Sequence, residues 1–224
     1  TTLAQRYAGR SEITALYAQD AWKLRDDLTL TLGLREERFK TFDGEQLLRT
    51  TTCTPSAGVS CVDNGDGSFN RVLPYAARAL SGTSPKASLA WQAFDDLLLK
   101  ASFGRGVRFP NVEELYNGKF TATEQTQSDP NLKAERSNAL ELSAEKDWAL
   151  HSLRVSVFHD DVRDAILRQS DVSLGSNLIR VSNVDRVKTT GLEIVWQAQD
   201  WWIRGLSVDA NAAFANSKVA ANEK

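Results

Sequence analysis

The chain has 224 residues with a formal net charge of −2, a length that suits one large domain or two small ones. This near-neutral balance excludes the strongly basic surface of a nucleic-acid-binding protein. No stretch approaches the roughly 18 apolar residues of a membrane-spanning helix, but a transmembrane β-barrel is compatible with the mean hydropathy of −0.37 because its strands alternate apolar and polar residues.

The amino-terminal sequence Thr1-Thr2-Leu3-Ala4 has neither the basic start nor the apolar run of a signal peptide, and the chain contains no methionine. We therefore expect a processed chain or a portion of a longer one.

Eight segments alternate apolar and polar residues with a period of two, which predicts strands with one apolar and one polar face. The clearest lies at 28–35, where every second residue is leucine. In chain order the predicted strands cover roughly 12–24, 28–39, 85–92, 96–104, 138–147, 151–160, 187–198 and 205–216.

The connections between these strands alternate between short turns and loops of a few dozen residues. The long loops are predicted at 40–84, 105–137 and 161–186. A meander with all its tight turns at one end and all its long loops at the other is typical of an outer-membrane barrel, whereas a β-sandwich mixes its connection lengths.

All six tryptophans lie in a short turn or within a few residues of one: Trp22, Trp91, Trp148, Trp196, Trp201 and Trp202. Tryptophan favours the membrane interface, because its ring is apolar and its N–H stays hydrated. This distribution predicts an aromatic girdle on the periplasmic side, although strand ends of any sheet often carry aromatic residues.

The only two cysteines, Cys53 and Cys61, lie in a stretch rich in turn-forming residues. A zinc site would need four ligands, and the two histidines are distant in sequence. The spacing favours a small loop disulfide formed in an oxidising compartment, with two free thiols as the alternative.

The sequence offers little for catalysis. It has no Gly-x-Ser-x-Gly segment and no phosphate-binding glycine loop. Residues 63–68 are similar to a calcium loop but lack its terminal glutamate. We therefore predict no catalytic residues, no metal site and no cofactor.

Four segments together resemble TonB-dependent receptors. Residues 100–110 end a strand with a Gly-Arg-Gly step and an Arg-x-Pro, and Leu115-Tyr116 follows. Residues 129–135 are similar to the family's Asn-Pro-x-Leu-Lys-Pro-Glu loop, although Asp129 replaces the asparagine and Ala134 the second proline. Residues 183–193 resemble the family's Asn-Val…Gly-x-Glu strand, and with the segment from Tyr17 to Trp22 the resemblance spans roughly 12–214.

The resemblance implies an all-β fold, an antiparallel up-and-down transmembrane β-barrel in the outer membrane. Residues 1–224 would supply about eight strands of a larger barrel, without the plug domain, and residues 40–84 would form a long extracellular loop containing Cys53 and Cys61. The implied function is ligand-gated uptake of a ferric siderophore or similar scarce nutrient, energised by the TonB complex through the plug. The alternative is a stand-alone small barrel with an adhesive or structural role.

Ferric siderophores are often anionic and carry planar catecholate or hydroxamate groups, so cationic and aromatic side chains suit them. The predicted loops carry six candidates for ligand contact: Tyr75, Arg78, Arg105, Arg108, Tyr116 and Lys119. As an alternative, Arg105 and Arg108 pair with carboxylates such as Glu113, Glu114 or Glu135 and fix the loop.

Overall fold

The computed structural model describes residues 5–120, 124–171 and 177–220, without the side chains of residues 119, 120, 124, 125, 171 and 177. Within these ranges the chain forms one sheet and a short helix. The elements are β1 (Gln5–Arg25), β2 (Leu28–Thr50), β3 (Ser60–Asp63), β4 (Phe69–Tyr75), β5 (Arg78–Phe94), β6 (Leu97–Arg108), α1 (Val112–Tyr116), β7 (Lys119–Phe120), β8 (Glu124–Gln127), β9 (Glu135–Trp148), β10 (His151–Asp171), β11 (Asn177–Ala198) and β12 (Val208–Val219).

Eight long strands, β1, β2, β5, β6, β9, β10, β11 and β12, each pair antiparallel with the next. They correspond one to one with the eight predicted strands, so the predicted meander is confirmed. The short β3–β4 hairpin adds to the edge of β2 beyond Gly44, and β8 pairs in parallel with the start of β11.

Several strands run further than the alternation predicted. β2 continues to Thr50, β5 begins at Arg78 and β10 reaches Asp171, so residues 40–50, 78–84 and 161–171 are strand rather than loop. Both faces of these extensions carry polar side chains, so the period-two pattern that marks the lower halves is lost while the backbone ladder continues.

The register gives the sheet two chemically distinct faces. The apolar face contains a row that crosses seven strands: Leu30, Leu89, Ala101, Leu142, Val157, Leu192 and Phe214. The polar face contains the parallel row of Thr29, Ala90, Lys100, Ser143, Ser156, Glu193 and Ala213.

Large apolar side chains on the apolar face are open to the surroundings, with Leu142 56% and Phe214 65% exposed. An apolar surface that spans a whole sheet is not left in contact with water. No helix among the described residues is long and apolar enough to cross a membrane.

The six tryptophans gather at the end of the sheet with the short connections, as predicted. Trp91 donates a hydrogen bond from Nε1 to the Asp27 carboxylate in the first turn at 2.9 Å. Trp196 and Trp201 pack edge to face with ring centroids 5.2 Å apart. The opposite end carries the long connections and the main buried cluster.

Candidate functional site at the rim of the sheet

The connection from β6 to β9 lies over the polar face at the end of the long connections. Its first ordered element is α1, which begins after Pro110. Asn111 caps this helix, because its side chain accepts a hydrogen bond from the Glu114 amide and the Glu114 carboxylate accepts one from the Asn111 amide. The helix therefore turns the chain sharply back toward β1 and β2.

Two glycines give Tyr116 its place at the end of α1. A Cβ atom on Gly44 would lie 2.9 Å from Cζ of Tyr116, and one on Gly9 would lie 2.7 Å from its Cδ2. Only residues without a side chain allow the ring to approach β1 and β2 this closely. Tyr116 is consequently 1% exposed.

Apolar side chains from β2, α1, β10, β11 and the rest of the β6–β9 connection meet in what we call the rim core: Phe39, Phe109, Leu115, Tyr116, Leu132, Ala134, Ile166 and Val181. The rings of Phe39 and Phe109 stack with centroids 5.2 Å apart. Buried aromatic and aliphatic side chains of this kind stabilise a fold mainly by removing apolar area from water. The rim core therefore fixes the β6–β9 connection to the polar face.

Tyr75 and Tyr116 stack with ring centroids 4.8 Å apart. Burial raises the pKa of the Tyr75 hydroxyl, and the neighbouring tyrosines add to the effect. Among the described residues, the buried hydroxyl of Tyr116 has no hydrogen-bond partner. Both rings thus belong to the packing of the rim, and Tyr116 presents no open aromatic face.

Arg108 connects three parts of the rim. Its guanidinium donates to both oxygens of Glu114 in α1, at 2.9 and 3.1 Å, and to Glu135 at the start of β9, at 3.3 Å. Glu135 also accepts a hydrogen bond from the Ile166 amide of β10 at 2.9 Å. This geometry corresponds to the second interpretation of the sequence, in which Arg108 pairs with carboxylates and fixes the loop.

Arg78 has a similar role on the other side of the rim core. It donates to the backbone carbonyl oxygen of Leu132 at 3.1 Å and to that of Pro130. These bonds satisfy carbonyl groups of a segment that has no strand partner of its own.

Arg105 lies apart from the other candidates. Cross-strand pairing places it opposite Asn138, two residues beyond the Phe103–Leu140 pair, and so on the apolar face. Its Nε donates to Asn138 at 2.8 Å. The structure therefore brings Tyr75, Arg78, Arg108 and Tyr116 together at the rim core but not Arg105, and the side chain of Lys119 lies outside the described residues.

One rim residue was not singled out from the sequence. The Asn183 side chain accepts from the Lys133 amide at 2.8 Å and donates to the carbonyl oxygens of Lys133 and Asp164, at 3.2 and 2.6 Å. It thereby joins the β6–β9 connection to β10. Its place in the Asn-Val segment was the available signal, but sequence alone does not show which backbone groups an asparagine reaches.

Cys53 and Cys61 form a disulfide with Cα atoms 5.9 Å apart. It lies beside the β3–β4 hairpin, whose turn contains Asp66. Hydrogen bonds from the Ser68 hydroxyl and amide lower the pKa of the Asp66 carboxyl. No group of three or more histidine, cysteine, aspartate or glutamate side chains lies close enough to bind a metal ion among the described residues.

The sequence profile of the family described as "TonB dependent receptor-like, beta-barrel" matches residues 2–224. The chain belongs to the TonB-dependent receptor family. Its apolar face, polar face and segregated connections are the architecture expected of part of such a barrel.

Among curated proteins, the chain is 23% identical to the hemoglobin and hemoglobin-haptoglobin-binding protein of Haemophilus ducreyi, over 96% of this chain and 26% of that protein. Among solved structures, the hemophore receptor HasR of Serratia marcescens, a double mutant in complex with its hemophore HasA and heme, superposes with a TM-score of 0.68 at 19% identity. That match covers 94% of this chain and 34% of the other.

The ferric yersiniabactin uptake receptor FyuA of Yersinia pestis superposes with a TM-score of 0.66 at 15% identity, over 96% of this chain and 28% of the other. At these identities the superpositions establish the fold. The chain spans about a quarter to a third of the length of these three proteins.

Proposed function

We propose that this chain is part of the barrel of an outer-membrane transporter that takes up a ferric siderophore or a similar scarce nutrient in a ligand-gated process energised by TonB. The observation that carries this proposal is the two-faced sheet of a TonB-dependent receptor barrel. Its apolar face can contact lipid, and its polar face can border an aqueous lumen. Iron carriers are the favoured cargo because the similar proteins are named for hemoglobin, for heme with a hemophore and for ferric yersiniabactin.

The rim core supports a role in which the β6–β9 connection forms part of a fixed ligand entrance. Its salt bridges and buried rings hold the described part of that connection against the sheet, and a fixed entrance loses little ordering entropy when a ligand binds. In this proposal ligand contacts come from the solvent-facing side of the rim, where Tyr75 is half-buried, while Arg108 fixes the entrance through its ion pairs with Glu114 and Glu135.

Uptake measurements test the proposal. Cells with and without the complete receptor gene receive radiolabelled iron bound to a hydroxamate siderophore, to a catecholate siderophore or as hemin, each with and without a proton uncoupler. We expect gene-dependent uptake of one of these forms, abolished by the uncoupler because TonB draws on the proton gradient. Uptake that does not depend on the gene for any probe, or a gene-dependent change in cell adhesion alone, would overturn the proposal in favour of an adhesive or structural barrel.

A further inference from the structure

Three exposed arginines lie just beyond the apolar band, on the face of the sheet that carries it. The Arg105–Asn138–Asp161 row follows the Phe103–Leu140–His159 row by two residues. Arg136 and Arg163 pair across β9 and β10 in the next row. Side chains two residues apart on a strand point to the same face, so these arginines project outward at the upper border of the apolar face rather than into the lumen.

A local separation of two strands turns this border into a cleft. The β5–β6 ladder runs no higher than Lys86 and Gly104, while β5 continues along β2 to Arg78. Above that point the side chain of Val107 packs against Gly82. A cavity of about 560 Å³ opens beside these two residues. This outer-wall cleft is lined by Arg105, Arg136, Arg163, Asn138, Ser81 and Thr83, with Gly82 and Asp164 completing its wall.

The outer-wall cleft carries an excess of positive charge. Arg136 makes no hydrogen bond or ion pair within the described part of the chain. Arg163 lies 3.9 Å from Asp161, whose carboxylate already accepts two hydrogen bonds from Arg186 at 2.7 and 2.5 Å. Asp164 is paired with Lys133. The acidic groups are therefore engaged mainly elsewhere. Arg136, the terminal nitrogens of Arg105 beyond its Nε bond to Asn138, and Arg163 beyond its long contact with Asp161 remain open to an anion.

An apolar depression of about 490 Å³ lies lower on the same face. It forms where the small side chains Ala101 and Ala144 are surrounded by larger ones: Leu89, Trp91, Leu99, Leu142, Val155 and Val157. Ala101 is four residues from Arg105 on β6, which corresponds to roughly 13 Å along the strand. Cleft and depression together match a molecule with an anionic head and a hydrocarbon tail.

We propose that the outer-wall cleft binds the phosphate groups of a phosphorylated outer-leaflet lipid, whose acyl chain occupies the depression over Ala101 and Ala144. Guanidinium groups bind phosphate oxygens with paired, charge-assisted hydrogen bonds, and the Ser81 and Thr83 hydroxyls add further donors. The inference rests on the proposed function in one respect, that the apolar face lies in a membrane.

Native mass spectrometry of the intact receptor in detergent tests the site with a bisphosphorylated lipid A as probe. Three proteins are compared: wild type, the triple variant Arg105→Gln, Arg136→Gln, Arg163→Gln, and a control that removes three exposed cations from the polar face, Lys23→Gln, Arg35→Gln, Arg154→Gln. We expect the triple variant to bind the lipid about 100-fold more weakly, since each basic group near an anionic lipid contributes about fivefold, and the control to bind like wild type.

Further arms separate the lipid from free phosphate and from failures of folding. Dephosphorylated lipid A should not bind, and inorganic phosphate at millimolar concentration should not displace the lipid. The single variant Arg136→Gln, which loses no contact within the described residues, should fold as wild type and bind about fivefold more weakly. Equal lipid binding by all variants, or inorganic phosphate binding as tightly as the lipid, would overturn the proposal; failure of the wild-type protein to insert into membranes would instead overturn the proposed function.

Discussion

Tyr116 is interpreted as a ligand contact from the sequence and as a packing residue from the structure. In sequence it is an aromatic residue in a long loop beside two arginines, which favours stacking on a ligand. In the structure its ring fills the space left by Gly9 and Gly44 and stacks on Tyr75. The difference arises because two glycines more than 30 residues apart meet in space, which no local pattern reveals.

Substitution of Tyr116 separates packing from ligand contact. Tyr116→Ala in the intact receptor should cost about 3–5 kcal/mol, because it leaves a large cavity in the rim core. Tyr116→Phe should be neutral or slightly stabilising, because the buried hydroxyl has no partner among the described residues. The temperature at which the folded band disappears in heat-modifiability electrophoresis measures both effects. A destabilised Phe variant would show that the hydroxyl makes a bond in the intact protein.

Arg108 is the second rim residue of interest, because it makes the carboxylate pairs that the sequence offered as an alternative to ligand contact. Arg108→Ala leaves the Glu114 and Glu135 carboxylates without their shared cation, so we expect the rim to lose about 1 kcal/mol, a value kept small because the Arg108 side chain is 42% exposed. Ligand affinity of the folded fraction should change less than twofold.

Arg168→Ala is the matched control for that variant. Arg168 pairs with Glu113 of the same helix, but both side chains are more than half exposed, so its loss should change stability by less than about 0.5 kcal/mol. Unaltered stability of Arg108→Ala combined with roughly tenfold weaker ligand binding would restore Arg108 to the ligand site.

At the scale of elements, the sequence predicts the strands that have one apolar and one polar face. It predicts few of the elements at the rim. Strands such as 28–35 are recognisable because one face is apolar and the other polar. The extension of β10 to Asp171 does not show in the sequence because both faces carry polar residues there. Helix α1 left a usable signal, the Asn111…Glu114 capping box after Pro110, which was overlooked within a region interpreted as loop.

The disulfide hairpin is an element whose contribution should be local. Closing so short a loop restricts the unfolded chain by about 2.6 kcal/mol in the chain-entropy model. Among the described strands, β3 pairs only with β4, and β4 pairs otherwise only with the far end of β2. Cys53→Ser with Cys61→Ser should therefore leave the barrel's heat modifiability intact while residues 51–60 become more sensitive to protease.

The oxidation state of the pair is read by alkylation without reductant followed by mass spectrometry, and we expect neither cysteine of the wild-type protein to be modified. Modification of both thiols would show that the bridge does not form. A loss of the folded barrel in the double serine variant would show instead that the hairpin supports the whole sheet.

At the scale of the whole molecule, the division of the sheet into two faces carries the functional interpretation. The functional interpretation of the rim core, the outer-wall cleft and the tryptophan-rich end depends on where each lies relative to the apolar band. The upper border of that band shifts along the sheet, from Leu34 on β2 to Phe103 on β6 and Leu192 on β11. Strands tilted in a barrel produce such a diagonal border, because rows across the strands are not parallel to the membrane plane.

The two faces are best tested with adjacent residues of β2. Leu30 lies on the apolar face between Trp22 and Leu89, and Thr31 lies on the polar face between Ala21 and Ser88. Leu30→Arg should destabilise the complete barrel by about 2–4 kcal/mol, because the guanidinium enters hydrocarbon near the middle of the band, whereas Thr31→Arg faces water and should cost much less. Folding into lipid vesicles followed by denaturant titration gives both values. Equal costs at the two positions would mean that the register, and with it the assignment of lipid and lumen sides, is wrong.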